Sequence, residues 1–251
     1  FFYALNDVRI KPEGIDYNYV GLDNFRDVFA KDLFFSQNLL NFSVSLVLQI
    51  PIIVIFALLI ALLLNRNIKF KGVFRTIFFL PVIISSGAVM AKLQGQGATS
   101  IPNFDSNLIY EVLGSRVPTF LVEAIVELFA SLILLLWRSG VQLLVFIAAL
   151  QKIDPSLYEA AKIDGGSSWE CFWKITIPTI RPVILLNAVY TIVNLANSSD
   201  NEIITLIYNN MFDARRGYGF ASAMAWMYSF IILFILLLTY LLLRQRKERN
   251  Q

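Results

Sequence analysis

The chain has 251 residues, of which 57% are hydrophobic and only 16% are charged, with a net charge of +3. Soluble domains carry about 25% charged residues, so this composition excludes an ordinary soluble protein and predicts an integral membrane protein. The absence of histidine excludes imidazole-based catalysis, the single cysteine excludes an internal disulfide, and no G-x-x-x-x-G-K-[ST] loop is present to bind ATP.

The first predicted element is incomplete. FFYAL at residues 1–5 is apolar and begins without Met, so we expect a spanning helix upstream of it, with a short interfacial anchor as the alternative. Residues 6–38 are polar and mixed in charge, and they predict a loop with a short surface helix.

Five hydrophobic segments then predict membrane-spanning helices, at about residues 39–64, 73–93, 119–151, 183–196 and 220–243. The third is longer than a bilayer requires, so its end either projects into the cytoplasm or breaks near Gly140. The fold class is therefore an all-α integral membrane bundle of five visible helices, or six with the missing N-terminal helix. Residues 1–251 are expected to form a single transmembrane domain.

The charge of the loops predicts the orientation of these helices. Residues 65–75 contain four basic and no acidic side chains, and the C-terminal run RQRKER at 244–249 is also strongly basic. The positive-inside rule places both in the cytoplasm, together with residues 152–181. Alternation then places residues 6–38, 94–118 and 197–219 outside.

A polar segment from Asp154 to Pro178, called the elbow below, lies between two of the predicted spans. Asp154 is a suitable N-cap, Pro155 a suitable first helical residue, and Gly165 a suitable end for a helix of about ten residues. Ser167 and Glu170 have the spacing of a capping box, which predicts a second helix immediately afterwards. The first helix would be about 15 Å long, too short to span a bilayer.

The second elbow helix is predicted to carry an aromatic face. Trp169, Phe172 and Trp173 are spaced at i, i+3 and i+4, and we expect them to root this helix in the transmembrane bundle. Pro178 should end the helix, and Cys171 is expected to be a small packing residue.

The elbow resembles the EAA loop of ABC importer permeases. EAAKIDG at 159–165, nine residues and ITIP at 175–178 follow the family pattern, with Ile177 where the family prefers Leu. NYVGLDNF at 18–25, FRTIFFLP at 74–81, LQKIDPSLYEAAKIDG at 150–165 and AMAW at 223–226 are similar to carbohydrate-type permeases, the group that includes the maltose importer. By this resemblance, the ATPase-coupling residues are Glu159, Ala160, Ala161, Asp164, Gly165, Ile175 and Pro178.

The resemblance implies a transport subunit without catalytic residues of its own, in the cell membrane of a prokaryote. Its implied partners are a second homologous permease, a dimer of ATPase subunits and an extracytoplasmic solute-binding protein, with a carbohydrate as substrate and no nucleic acid. It also implies no cofactor in this chain, because ATP would be bound by the ATPase. The helix at 155–164 would dock in a cleft of that subunit.

A stripe of polar residues in the fourth predicted span is a candidate substrate pathway, with members spaced on one helical face: Asn187, Tyr190, Thr191, Asn194 and Ser198. Amide and hydroxyl groups beside a tyrosine ring suit sugar hydroxyls and the apolar face of a pyranose. Interhelical hydrogen bonding is the alternative role. Glu127, in the third span, is a further pathway candidate.

Glu123 and Glu127 lie one turn apart in the third predicted span. Because charged residues inside a membrane are costly, we expect them either to pair structurally or to line the cavity. A proton-coupled secondary transporter that uses both is the alternative protein class. An intramembrane enzyme is a third class, disfavoured by the absence of histidine and of a paired catalytic motif. Arg215 and Arg216 are expected to occupy a solvated external turn.

Overall fold

The computed structural model describes residues 1–11, 14–65, 72, 76, 135, 138–198, 201–213 and 216–244. These belong to two compact units, one formed by residues 1–52 and 184–251 and the other by residues 53–183. The predicted span at 73–93, the first part of the span at 119–151, and Glu123, Glu127 and Arg215 lie outside the described residues.

The described helices agree with an all-α membrane protein. They are α1 (Asp23–Lys31), α2 (Leu33–Asn65), α3 (Arg138–Gln151), α4 (Pro155–Ile163), α5 (Ser168–Cys171), α6 (Ile177–Ala196), α7 (Glu202–Met211) and α8 (Gly217–Leu243). Three continuous helical stretches of the described chain are long and apolar enough to cross a membrane: Leu33–Asn65, Ser168–Ala196 and Gly217–Leu243. They overlap the predicted spans at 39–64, 183–196 and 220–243, and each begins earlier than predicted.

The described part of the third span contains no break at Gly140, because α3 is helical from Arg138 to Gln151. The alternative that this helix breaks near Gly140 is therefore wrong.

The prediction of a loop at residues 6–38 is only partly correct. Strands β1 (Asn6–Lys11) and β2 (Gly14–Tyr19) pair antiparallel, with Asn6 opposite Tyr19. The predicted short helix is present as α1, but Leu33 onward already belongs to the spanning helix α2. The sequence does carry a strand signal here, because polar and apolar residues alternate in VRIK at 8–11 and in IDYNY at 15–19. A prediction based on polar composition alone missed it.

The hairpin lies directly against α8 in the first unit. Asn24 Nδ2 donates to the carbonyl oxygens of Ala4, at 2.9 Å, and Asn6, at 3.1 Å. A Cβ at Gly219 would lie 2.0 Å from the Asn6 oxygen, so only glycine allows this approach of α8 to the hairpin. A buried apolar core beside this contact includes Ala4, Val28, Phe35, Leu39, Ile203, Phe220, Ala223 and Met224.

An ion pair between Asp32 and Arg216 also lies in the first unit. The Asp32 carboxylate is 8% exposed, accepts a hydrogen bond from the N–H of Phe35 at 2.9 Å and pairs with the Arg216 guanidinium. The guanidinium also lies over the ring of Phe220. Arg216 lies in a turn and is exposed, as predicted. Its pairing with Asp32 was not predicted, and it supplies the counter-charge that a buried carboxylate requires.

The second unit contains the last part of α2, α3 and the elbow. Large apolar side chains are buried on both long helices, among them Ile53 and Val54 on α2 and Phe146 and Ile147 on α3. The elbow itself is mostly exposed, apart from Cys171 and Thr176. This distribution leaves α4 at the surface of the unit.

Candidate functional site

The first elbow helix begins as the sequence predicts. Asp154 has extended backbone angles and its carboxylate accepts a hydrogen bond from the N–H of Ser156 at 2.9 Å, while Pro155 occupies the first turn. That backbone hydrogen bond holds the pKa of the Asp154 carboxyl below its usual range. The N-cap prediction is confirmed, and α4 starts at a position set by local chemistry.

The same helix ends in a Schellman motif. Gly165 has φ +79°, as predicted, and its N–H donates to the Lys162 oxygen at 3.1 Å. The N–H of Gly166 donates to the Ala161 oxygen at 2.8 Å. These two bonds satisfy carbonyl groups that the helix end leaves open. A Cβ at Gly166 would lie 2.8 Å from the Ala161 oxygen, so the second glycine is required by close approach rather than by its φ.

The second elbow helix begins with the predicted capping box. The N–H of Glu170 donates to Ser167 Oγ at 3.2 Å, and the N–H of Ser167 donates to Glu170 Oε2 at 3.0 Å. Lys174 Nζ adds an ion pair with Glu170 at 3.3 Å, one turn later. The turn between the two helices is thus fixed at both sides by hydrogen bonds within the elbow.

The prediction that Pro178 ends the second helix is wrong. The chain passes from α5 through a π-helical segment, Phe172–Thr176, directly into α6, which contains both Pro178 and Pro182. A proline ring normally clashes with the carbonyl four residues earlier, and a wide π turn just before it relieves that contact. Thr179 Oγ1 also donates to the Ile175 oxygen, at 2.6 Å. The elbow therefore continues without interruption into a spanning helix.

The aromatic face of the second helix exists but does not root it in this chain. The rings of Trp169, Phe172 and Trp173 contact one another, with centroids between 5.1 and 6.1 Å apart. Trp169 is 68% exposed and Trp173 51% exposed. Phe172 is half-buried, and the buried side chains on this stretch are those of Cys171 and Thr176. Helical spacing predicted the cluster correctly but not the side that is covered.

The exposed surface of α4 is the centre of the candidate site. No residue of α4 is buried, and its axis turns by 62° from that of α3. Two large apolar side chains are exposed on this short helix, Leu157 at 47% and Ile163 at 87%. They are apolar groups that α4 leaves available for contact outside this chain's described residues. Sequence analysis did not single out these two residues, because only the structure shows that they are exposed.

The predicted coupling residues occupy this surface and the start of the spanning helix. Glu159 and Ala160 are exposed, Ala161 is half-buried, and Asp164 is the exposed C-cap of α4. Gly165 is exposed at the turn, whereas Ile175 is half-buried in the π segment and Pro178 is exposed at the start of α6. The seven residues thus span two helices and the joint between them.

A contact that sequence analysis missed joins the two helices of the elbow. Tyr158 Oη lies 2.8 Å from Thr176 Oγ1, across 18 residues of chain. Thr176 Oγ1 in turn lies 3.4 Å from the Cys171 oxygen, to which it donates. No spacing rule relates residues so far apart, so only the folded turn brings these hydroxyls together.

The predicted substrate stripe divides into buried and exposed members. Asn187 and Thr191 are buried, and Thr191 Oγ1 donates to the Asn187 carbonyl oxygen at 2.7 Å. Tyr190 and Asn194 are exposed, and Ser198 is half-buried. The assignment of the stripe to a substrate pathway stays a prediction. Glu127 lies outside the described residues.

Comparison with known proteins places these features in context. Residues 30–246 match the family described as binding-protein-dependent transport system inner membrane component. The chain is 31% identical over 242 residues to a probable ABC transporter permease protein, YesP, of Bacillus subtilis (strain 168), covering 88% of this chain and 76% of the relative. It is 30% identical over 241 residues to the lactose transport system permease protein LacF of Rhizobium radiobacter, covering 87% and 78%.

A solved structure shares the fold. A crystal structure of a bacterial alginate ABC transporter in complex with an alginate pentasaccharide-bound periplasmic protein contains a chain with a TM-score of 0.57 to this one. Sequence identity is 23%, and the match covers 90% of this chain and 83% of that chain.

Proposed function

The chain belongs to the family of binding-protein-dependent transport system inner membrane components, and on that premise we propose that it is the permease subunit of an ATP-driven carbohydrate importer. It is a multi-pass membrane protein and a transport component. In the proposed complex it forms half of the translocation path and receives work from an ATPase through the elbow. The observation that carries this proposal is the exposed helix α4, capped at both ends and continuous through the elbow with the spanning helix α6.

The carbohydrate assignment rests on the relatives. LacF is named as a lactose transport permease, and the alginate transporter shares the fold. We propose a saccharide as the substrate class of this chain. The exposed members of the stripe on α6, Tyr190 and Asn194, would contribute a ring face and an amide to it. Residues buried on the same helix would support packing instead.

The coupling role follows from the chemistry of α4. A separate ATPase has to bind the permease through an interface. Apolar groups of that interface are buried on binding, and charged groups fix the orientation of the two proteins. Ile163 and Leu157 provide exposed apolar groups, and Glu159 provides an exposed carboxylate for a basic partner. The small residues Ala160 and Gly165 allow close approach. ATP would be held by that partner, and no cofactor is proposed for this chain.

The proposed mechanism is alternating access by rigid-body movement. Closure of an ATPase dimer on ATP would displace α4, and the elbow would carry that displacement into α6. A second permease would complete the path, and an extracytoplasmic solute-binding protein would deliver the saccharide. These partners place the complex in the cytoplasmic membrane of a prokaryote, with the elbow on the inner side.

Uptake by the purified complex in proteoliposomes tests this proposal. Lactose and alginate pentasaccharide are offered with the solute-binding protein outside and either ATP or ADP inside. The proposal predicts accumulation of a saccharide that requires ATP. Accumulation that is equal with ATP and ADP but follows an imposed pH gradient would instead support the proton-coupled alternative through Glu123 and Glu127. Family membership already favours the ATP-driven class.

A further inference from the structure

The hydroxyl pair of Tyr158 and Thr176 has a position that the proposed coupling role does not by itself explain. Tyr158 is half-buried on a helix without a buried residue, whereas Thr176 is only 5% exposed. Their oxygen atoms lie 2.8 Å apart. Either hydroxyl can donate in this bond, and Thr176 Oγ1 also lies 3.4 Å from the Cys171 carbonyl oxygen.

Thr176 lies where a π segment interrupts the α-helical path between α5 and α6. It is the last residue of the π segment Phe172–Thr176, and Ile177 begins α6. π turns are rare and occur mostly as single-turn interruptions of α-helices, and they often mark functional positions. Without a further connection, a force applied to α4 could be absorbed by bending here, because the covalent path runs through the turn and through this segment.

The hydrogen bond between Tyr158 and Thr176 connects α4 directly to the end of the π segment. It joins α4 to the residue immediately before α6, across the turn, α5 and the π segment. We propose that the Tyr158–Thr176 hydroxyl pair is the tie through which displacement of α4 moves the start of α6. Both are positioning residues, and the inference rests on the proposed function of the elbow.

Spin-label distances in the assembled transporter test the tie without requiring a known saccharide. Lys162→Cys on α4 and Thr179→Cys on α6 are exposed labelling positions, whereas the native Cys171 is buried. The distance between the labels is measured in the nucleotide-free complex and after trapping with ATP and vanadate. In the otherwise wild-type chain we expect the same narrow distance in both states, because the two segments move together.

Two variants remove the tie with little change in shape. Tyr158→Phe keeps the ring, and Thr176→Val keeps the volume. One net hydrogen bond biases an equilibrium by about five-fold. After trapping, each variant should therefore lower the ratio of chains that keep the wild-type distance to chains that lose it by about five-fold. The double variant should be no worse than either single variant, since both remove one interaction. Thr176→Ser keeps the hydroxyl and should behave as wild type.

Several outcomes would overturn the inference. One is an unchanged distance after trapping in Tyr158→Phe and Thr176→Val, and another is an additive loss in the double variant. The third is loss of complex assembly in both single variants, because that result would indicate a general structural role. The proposed function fails separately, if the wild-type chain neither assembles with an ATPase nor traps nucleotide.

Discussion

Gly166 provides the sharpest test of how the elbow is built. The family motif contains Gly165, and the left-handed φ of +79° at that residue explains why. Gly166 is outside the motif positions, yet a Cβ there would lie 2.8 Å from the Ala161 oxygen, compared with 3.4–4 Å in ordinary contact. We predict that Gly166→Ala opens the end of α4 more than Gly165→Ala does.

The magnitude follows from the geometry. Relieving the overlap requires a shift of about 0.6 Å, which stretches the 2.8 Å bond from the Gly166 N–H to the Ala161 oxygen past the usual limit of about 3.2 Å. Losing that bond costs about 1 kcal/mol, and residual strain adds about 1 kcal/mol or more. Gly165→Ala has open space around its Cβ, and it costs only the left-handed strain of about 1 kcal/mol.

Amide hydrogen exchange of the assembled complex measures these local opening energies. For peptides covering residues 155–166, Gly166→Ala should raise exchange by about 30-fold and Gly165→Ala by about 5-fold. Gly165→Asn is the matched control, because asparagine tolerates the left-handed region, and it should change exchange least. Equal exchange in Gly166→Ala and wild type, or a larger effect of Gly165→Ala, would refute the reasoning.

Three further changes test the coupling surface, the ion pair and the stripe. Glu159→Lys should abolish ATP-driven uptake while saccharide binding to the solute-binding protein survives, whereas Glu202→Lys, the same reversal at an exposed glutamate of α7, should leave uptake near wild type. Normal uptake by Glu159→Lys would contradict the coupling role. Asp32→Asn should lower stability by about 1.5–3 kcal/mol through loss of its charged hydrogen bonds, seen as a lower thermal midpoint in nanodiscs; an unchanged midpoint would show that the pair contributes nothing. Asn194→Ala should raise KM for uptake several-fold without lowering the thermal midpoint. Asn187→Ala should lower the thermal midpoint without raising KM. A lower midpoint and an unchanged KM in Asn194→Ala would remove Asn194 from the pathway.

Local chemistry explains which features of the elbow were predictable. Asp154, Gly165, Ser167 and Glu170 act on backbone groups within three residues of themselves, so their roles are visible in the sequence. The spans at 39–64, 183–196 and 220–243 were predictable for a related reason, since the bilayer requires long apolar segments. Their early starts were missed because polar residues in a first helical turn do not differ from loop residues.

Features that depend on distant neighbours were not predictable. Pro178 should have ended a helix by its own chemistry, but the π segment before it makes room for its ring. Trp169 and Trp173 have the spacing of a packed face, yet both are exposed, whereas Cys171 and Thr176 on the same stretch are buried. Helical periodicity specifies which residues share a face, and it does not specify what lies opposite that face.

The sequence by itself determined the membrane class, the three long apolar helices, the caps of the elbow and the family. Composition, apolar length and short-range hydrogen bonding are properties of neighbouring residues. The tertiary structure alone decided that Asp32 meets Arg216, that Gly219 touches the hairpin and that Tyr158 reaches Thr176. Each of these contacts joins residues many positions apart, and only the folded path of the backbone brings their atoms within reach.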